Sequence, residues 1–193
     1  SLGGSGTNAE AALCFGGTQS PKAQTENWNG TSWSEVADLN TGRSSVTGFG
    51  TETSALATSG DGSTPRGLVE TWNGTSWTET TDLNTGRANL ASCGTLPSGM
   101  VFGGPVPGGG KTELWNGSAW TETTDFSTAR ELTNNGAGAS SQSGLASAGF
   151  ITAPSAATEE WNAVTPVGAW TTSGNLNTAR LDGGTAGTQT AGL

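Results

Sequence analysis

Two residue types recur in step along this chain with side chains able to do chemistry. Glu26, Glu70, Glu113 and Glu159 each stand two residues before a Trp, and Arg43, Arg87, Arg130 and Arg180 each close a second recurring segment. Carboxylates and guanidinium groups that repeat together can form ion pairs, bond turn carbonyls, or leave a ring of guanidinium groups that holds an anion. We read them as frame ion pairs or hydrogen bonds, with the anion-binding ring as the sharper alternative. Lys22, Arg66 and Lys111 are the other basic residues. All three fall where the copies stop resembling each other, so they are the candidate binding positions, for an anionic surface sugar. The competing reading is solvated loops that tolerate any sequence.

Catalytic chemistry is sparse. The chain has no His and no Tyr, which removes imidazole acid–base catalysis, the Ser-His-Asp triad and His-ligated zinc, copper or haem. Ser, Thr, Asp and Glu remain without a base partner. Pairs such as Glu35 with Asp38 recur with the frame, so a two-carboxylate glycosidase is only a formal possibility. The expectation is a protein that is not an enzyme, with no catalytic residue, cofactor or metal ligand; calcium stays open. Cys14 and Cys93 match no metal spacing and read as small buried apolar residues or, alternatively, one disulfide.

What positions these residues is a fourfold repeat. Thr25-Glu26-Asn27-Trp28-Asn29-Gly30-Thr31-Ser32-Trp33 is nearly copied at Glu70-Thr71-Trp72-Asn73-Gly74-Thr75-Ser76-Trp77 and at Thr112-Glu113-Leu114-Trp115-Asn116-Gly117-Ser118-Ala119-Trp120. A fourth, degenerate copy runs from Thr158 through Trp161 to Trp170. After each comes a segment such as Asp38-Leu39-Asn40-Thr41-Gly42-Arg43 or Asn175-Leu176-Asn177-Thr178-Ala179-Arg180. The period of about 45 residues is blade-sized for a propeller and too long for a solenoid coil of strands. Each repeat reads as four short strands, in the first at about 2–7, 11–15, 25–28 and 33–37.

Asn-Gly between the two Trp is a hairpin signal. A two-residue loop at Asn29-Gly30 pairs Trp28 with Thr31 and Glu26 with Trp33, placing both indoles diagonally on one face where a second sheet buries them. Asn29-Gly30-Thr31, Asn73-Gly74-Thr75 and Asn116-Gly117-Ser118 are also formal glycosylation sequons, which hairpin chemistry already explains. No apolar stripe of helical period persists.

Composition agrees with a folded, turn-rich chain. Its 193 residues suit one domain, and 32 Gly with eight Trp compensate for few aliphatic residues. Seven Lys and Arg against 16 Asp and Glu give a net charge of −9, so nucleic acid is a poor partner. No apolar run approaches the roughly 18–20 residues of a membrane helix. The opening residues, Ser1 to Thr7, carry no initiator Met and no signal peptide, which reads as an interior stretch of a fragment or processed product.

The frame resembles the kelch repeat: an apolar strand ending in Gly-Gly, an aromatic residue, Trp, an apolar residue and Arg. It reads Phe15-Gly16-Gly17, Trp28, Trp33, Leu39, Arg43 in the first unit and Phe102-Gly103-Gly104, Trp115, Trp120, Phe126, Arg130 in the third. Trp replaces the kelch Tyr throughout, and Gly-Gly degrades to Ser59-Gly60 and Ala148-Gly149. The resemblance implies an all-β propeller with repeats at about 1–43, 44–87, 88–130 and 131–180. Residues 181–193 would be an extra strand, either starting a fifth blade or closing the ring. Trp28, Trp33, Trp72, Trp77, Trp115, Trp120, Trp161 and Trp170 form the structural frame with the four Arg. The kelch-containing copper oxidases use His and Tyr ligands missing here, so their activity is not implied.

The copies also resemble kelch-like arrays in virion proteins of marine tailed phages. That implies a non-catalytic structural or binding propeller on a virion surface or tail appendage, used in assembly or host attachment. Its partners would be other virion or surface proteins, a host-surface glycan, or further copies of itself. The alternative is a secreted or cell-surface bacterial propeller that binds carbohydrate or protein, followed by a cytosolic kelch adaptor and an enzyme.

Overall fold

The computed structural model describes residues 2–18, 22–61, 67–105, 109–132, 136–163 and 168–181. The described residues are all-β and contain no helix. They form four four-stranded antiparallel sheets, each a meander whose strands lie in chain order. The chain divides into two compact units, Ser1–Ala88 and Asn89–Leu193.

In the first unit one sheet comprises β1 (Gly3–Asn8), β2 (Ala11–Phe15), β3 (Thr25–Trp28) and β4 (Trp33–Glu35). The next has β5 (Thr47–Gly50), β6 (Ala55–Thr58), β7 (Val69–Trp72) and β8 (Trp77–Glu79). In the second unit β9 (Ala91–Thr95), β10 (Ser98–Phe102), β11 (Thr112–Trp115) and β12 (Trp120–Thr123) form one sheet. Its companion consists of β13 (Gly136–Ser140), β14 (Ser143–Ser147), β15 (Thr158–Asn162) and β16 (Ala169–Thr172). The extra strand expected at 181–193 falls, beyond Leu181, outside the described residues.

The Trp hairpin differs from its expected register. Trp28 stands opposite Trp33 and Glu26 opposite Glu35, so the loop has four residues, Asn29 to Ser32. The Asn side chain is the cause. Asn29 Oδ1 accepts the N–H groups of Thr31 and Ser32, both at 3.0 Å, drawing those residues into the loop as an Asx turn. Gly30 follows with φ of 88°, a left-handed conformation that suits glycine. The indoles are therefore directly opposed, with ring centroids 5.5 Å apart. Trp72–Trp77, Trp115–Trp120 and Trp161–Trp170 repeat the contact at 5.3, 5.0 and 5.6 Å.

Each unit's core lies between its two sheets. Leu13, Phe15, Ala55, Ala57, Trp72 and Trp77 share one cluster; Cys93, Met100, Phe102, Phe126, Trp161 and Trp170 belong to the other. Trp77 and Phe15 pack edge to face with ring centroids 5.0 Å apart, as do Trp170 and Phe102 at 5.0 Å. The first strand of each unit's second sheet, β5 or β13, must come close for this to happen. A Cβ at Gly48 would lie 2.6 Å from Phe15 Cζ, and one at Gly136 2.7 Å from Phe102 Cζ, so glycine is what the approach permits.

Burial of the indoles is not uniform. Trp72, Trp77, Trp115, Trp120, Trp161 and Trp170 are buried, but Trp28 is only half-buried and Trp33 is 48% exposed. The expectation that a stacked sheet buries every indole fails at Trp33, which has no ring partner but Trp28 among the described residues, whereas Trp77 and Trp170 each pack on a Phe of the preceding sheet of their unit.

Candidate functional site

In each unit one recurring Arg and one recurring Glu meet between the two sheets, not within one. In the first unit the corner after β4 carries Arg43 into a slot on the second sheet. Arg43 Nη1 lies 2.5 Å from Glu70 Oε1. Its Nε donates to the Ser59 carbonyl at 2.8 Å and Nη2 to that of Ala57 at 3.5 Å. Asn40 completes the carboxylate's shell, donating to Glu70 Oε2 from its backbone N–H at 2.7 Å and from Nδ2 at 2.9 Å. Arg43 and Glu70 are 2% and 1% exposed. A pair so buried and bonded is costly to break by removing one partner, roughly 3–5 kcal/mol.

The second unit repeats the construction. Arg130 Nη1 lies 2.5 Å from Glu159 Oε1, and its Nε donates to the Ala148 carbonyl at 3.0 Å. Ser127 donates to Glu159 Oε2 from its N–H at 3.0 Å and from Oγ at 2.7 Å. The guanidinium also lies over the Phe126 ring at 4.8 Å. Aiming a carbonyl at Nε needs left-handed backbone: Ser59 and Ala148 have φ of 68° and 62°, where Gly16 and Gly103 have 75° and 84°. That geometry is why the position reads Gly in two repeats and is strained in the other two.

A second tie joins the sheets. Trp77 Nε1 donates to Thr25 Oγ1 at 3.0 Å, and Trp170 Nε1 to Thr112 Oγ1 at 2.9 Å. Three first indoles instead cap a turn, Trp28 on the Ala9 carbonyl, Trp72 on that of Glu52 and Trp161 on that of Ser141, whereas the buried Trp115 Nε1 has no partner among the described residues.

No family model and no curated protein sequence matches this chain.

The anion-ring alternative fails at Arg43 and Arg130, whose guanidinium groups are already committed to carboxylates. Arg87 is buried, with Nη1 donating to the Thr85 carbonyl at 2.8 Å. Arg180 is exposed. The sequon asparagines serve their hairpin loops: Asn73 Oδ1 and Asn116 Oδ1 accept loop N–H groups just as Asn29 does. Among the described residues no group of three or more His, Cys, Asp or Glu side chains could hold a metal ion. Cys14 and Cys93 are free thiols, not a disulfide. Burial pushes the Cys93 thiol up to about 12. Cys14 is also raised, mainly by burial and then by Glu26.

The three basic loop residues have separate fates. Lys22 is exposed, and its carbonyl accepts the Arg43 N–H at 2.9 Å, tying the loop's end to the corner. Lys111 Nζ lies 2.5 Å from Glu122 Oε1 in a partly exposed pair. Arg66 lies outside the described residues.

One concavity of about 230 Å³ opens on the first sheet, lined by Leu2, Cys14, Phe15, Gly16, Gly17, Thr18, Gln24 and Glu26. Sequence reasoning missed both this hollow and the direction of the Arg–Glu pairing. The available signal was the fixed order Asn/Ser-Thr-X-Arg followed, about 30 residues on, by Glu-X-Trp.

Proposed function

We propose that the chain is part of a kelch-like β-propeller that acts as a rigid, non-catalytic scaffold on a virion surface or tail appendage, contributing to assembly or host attachment. What supports this reading is the use to which the recurring polar residues are put. Arg43, Glu70, Arg130 and Glu159 are consumed in buried pairs that tie sheet to sheet, leaving the divergent connections after β2, β6, β10 and β14 as the segments free to vary. A stiff framework with variable loops is a display device. The repeated all-β sheets are the part of that reading the fold itself carries; the ring, the kelch kinship and the virion setting are the proposal.

The test has two arms. Antibody raised against the chain should decorate purified phage particles in electron micrographs, and a glycan array should show anionic sugars retained by the chain but less by a Lys22→Ala, Arg66→Ala, Lys111→Ala triple variant. Hydrolysis of glycosides lost on replacing a single carboxylate would overturn the non-catalytic reading.

A further inference from the structure

The hollow on the first sheet has the make-up of an arginine slot. In the second sheet the walls around Arg43 are Ala57 and Ser59, which offer carbonyls, Glu70, which offers its carboxylate, and Gly60, where a Cβ would lie 3.0 Å from Arg43 Cδ. The matching positions one repeat earlier are Cys14, Gly16, Glu26 and Gly17. All four line the hollow of about 230 Å³. Glu26 is exposed and has no hydrogen-bond or ion-pair partner among the described residues.

The complementary half is found on the fourth repeat. Its corner, Asn175 to Arg180, has the order of Asp38 to Arg43 and is built by the same backbone bonds. Arg180 N–H donates to the Ser155 carbonyl at 3.0 Å and the Arg180 carbonyl accepts from Gly149 at 3.1 Å, as Arg43 bonds Lys22 and Gly17 at 2.9 and 3.2 Å. The corner is thus preformed, yet the Arg180 side chain is exposed and has no partner among the described residues. Asn177 stands where Asn40 supplies two donors to the carboxylate. A second mismatch runs in the same direction. Thr25 and Thr112 each accept an indole N–H from the following repeat, whereas the buried Thr158 hydroxyl at that position has no partner, and Trp33 is the exposed indole.

We propose that the Arg180 corner of one copy of this chain docks into the Cys14–Gly16–Gly17–Glu26 slot of a second copy, with Arg180 paired to Glu26 and Asn177 completing the carboxylate's shell. The contact is head-to-tail, so successive copies form a closed ring or an open series. Charge complementarity favours it: the net charge of −9 opposes random self-association, while this joint matches a guanidinium to a carboxylate already flanked by apolar Phe15 and Leu2.

Sedimentation velocity of the full chain over a wide concentration range tests this. Wild type should associate as concentration rises. Glu26→Arg and Arg180→Glu should each weaken association about tenfold or more, and because both side chains are exposed neither should impair folding. An equimolar mixture of the two variants should associate again, since one joint between unlike chains is then native. Cys14 gives a local readout: alkylation should slow as wild type assembles, with no such change in either variant alone. A wild type that stays monomeric throughout would overturn the proposal, as would association indifferent to both substitutions. So would protection of Cys14 in the dilute monomer that is released by Arg180→Glu, which would mean that the same chain fills its own slot.

Discussion

Thr25 to Trp33 and Val69 to Trp77 are almost the same segment, and both fold into the same Trp hairpin, but their surroundings differ throughout. Glu70 is sealed against Arg43 and Asn40, while Glu26 is exposed; Trp77 is 5% exposed, while Trp33 is 48% exposed. The hairpin's shape is local, set by an Asn side chain and one left-handed Gly. The energetic worth of the Val69–Trp77 hairpin comes from the repeat in front of it, through Arg43, Asn40, Phe15 and Thr25. Stability in such an array is therefore carried at the junctions between repeats, as nearest-neighbour coupling.

Equivalent substitutions in the two repeats should then have unequal costs, measured by denaturant unfolding at concentrations low enough to keep the chain monomeric. Glu70→Ala strands the buried Arg43 guanidinium and should cost roughly 3–5 kcal/mol. Glu26→Ala, on an exposed carboxylate, should stay within about 0.5 kcal/mol. Equal losses would mean that the carboxylate serves its own hairpin. Trp77→Ala should also cost about 3–5 kcal/mol as a core truncation, since it removes the ring packed on Phe15 and the donor to Thr25. Trp33→Ala loses mainly its ring contact with Trp28, about 1 kcal/mol.

The first strands of the two sheets, β1 and β5, extend the contrast. A Cβ at Gly48 would lie 2.6 Å from Phe15 Cζ and closer still to the Leu56 carbonyl oxygen. At Gly4, the matching position, a Cβ would meet only the Leu13 carbonyl oxygen, at 3.4 Å. Gly48→Ala should therefore destabilise by about 1–3 kcal/mol through overpacking. Gly4→Ala should be neutral or stabilising by about 0.5 kcal/mol, through reduced freedom of the unfolded chain. Thermal melts of the pair would decide it, and a tolerant Gly48 would show that the sheets can separate without loss.

The local part of this architecture was legible in the residues. Strands lie close to where Trp, Asn-Gly and Gly-Gly place them, because hairpin and turn chemistry acts over a few residues. The register differs from the two-residue expectation because the Asn29 side-chain oxygen competes for loop N–H groups and enlarges the turn. Recurrence of Arg and Glu marked them as frame residues but could not tell a pair within one repeat from Arg43 reaching forward to Glu70. The exposure of Trp33 and Glu26 had no sequence signal, since it depends on what lies across from them.

The smallest expected effect concerns the two thiols, which separate burial from charge. Cys93 is raised to about 12 by burial alone, so it should resist alkylation in the folded chain whatever charges are altered. Because its folded value exceeds the unfolded one, its contribution to stability is complete below about pH 9. That contribution is lost as pH rises towards 12, and Cys93→Ala should flatten the alkaline decline. Cys14 is raised first by burial and second by the Glu26 carboxylate, with a backbone bond from Phe15 opposing. Glu26→Gln removes only the charge. The alkylation profile of Cys14 should then move to lower pH, yet remain above that of a free thiol because the burial is untouched. Peptide mass spectrometry after timed alkylation gives both cysteines from one sample. An unmoved Cys14 profile would mean that the carboxylate does not act on the sulfur, and the slot on the first sheet would lose its charged wall.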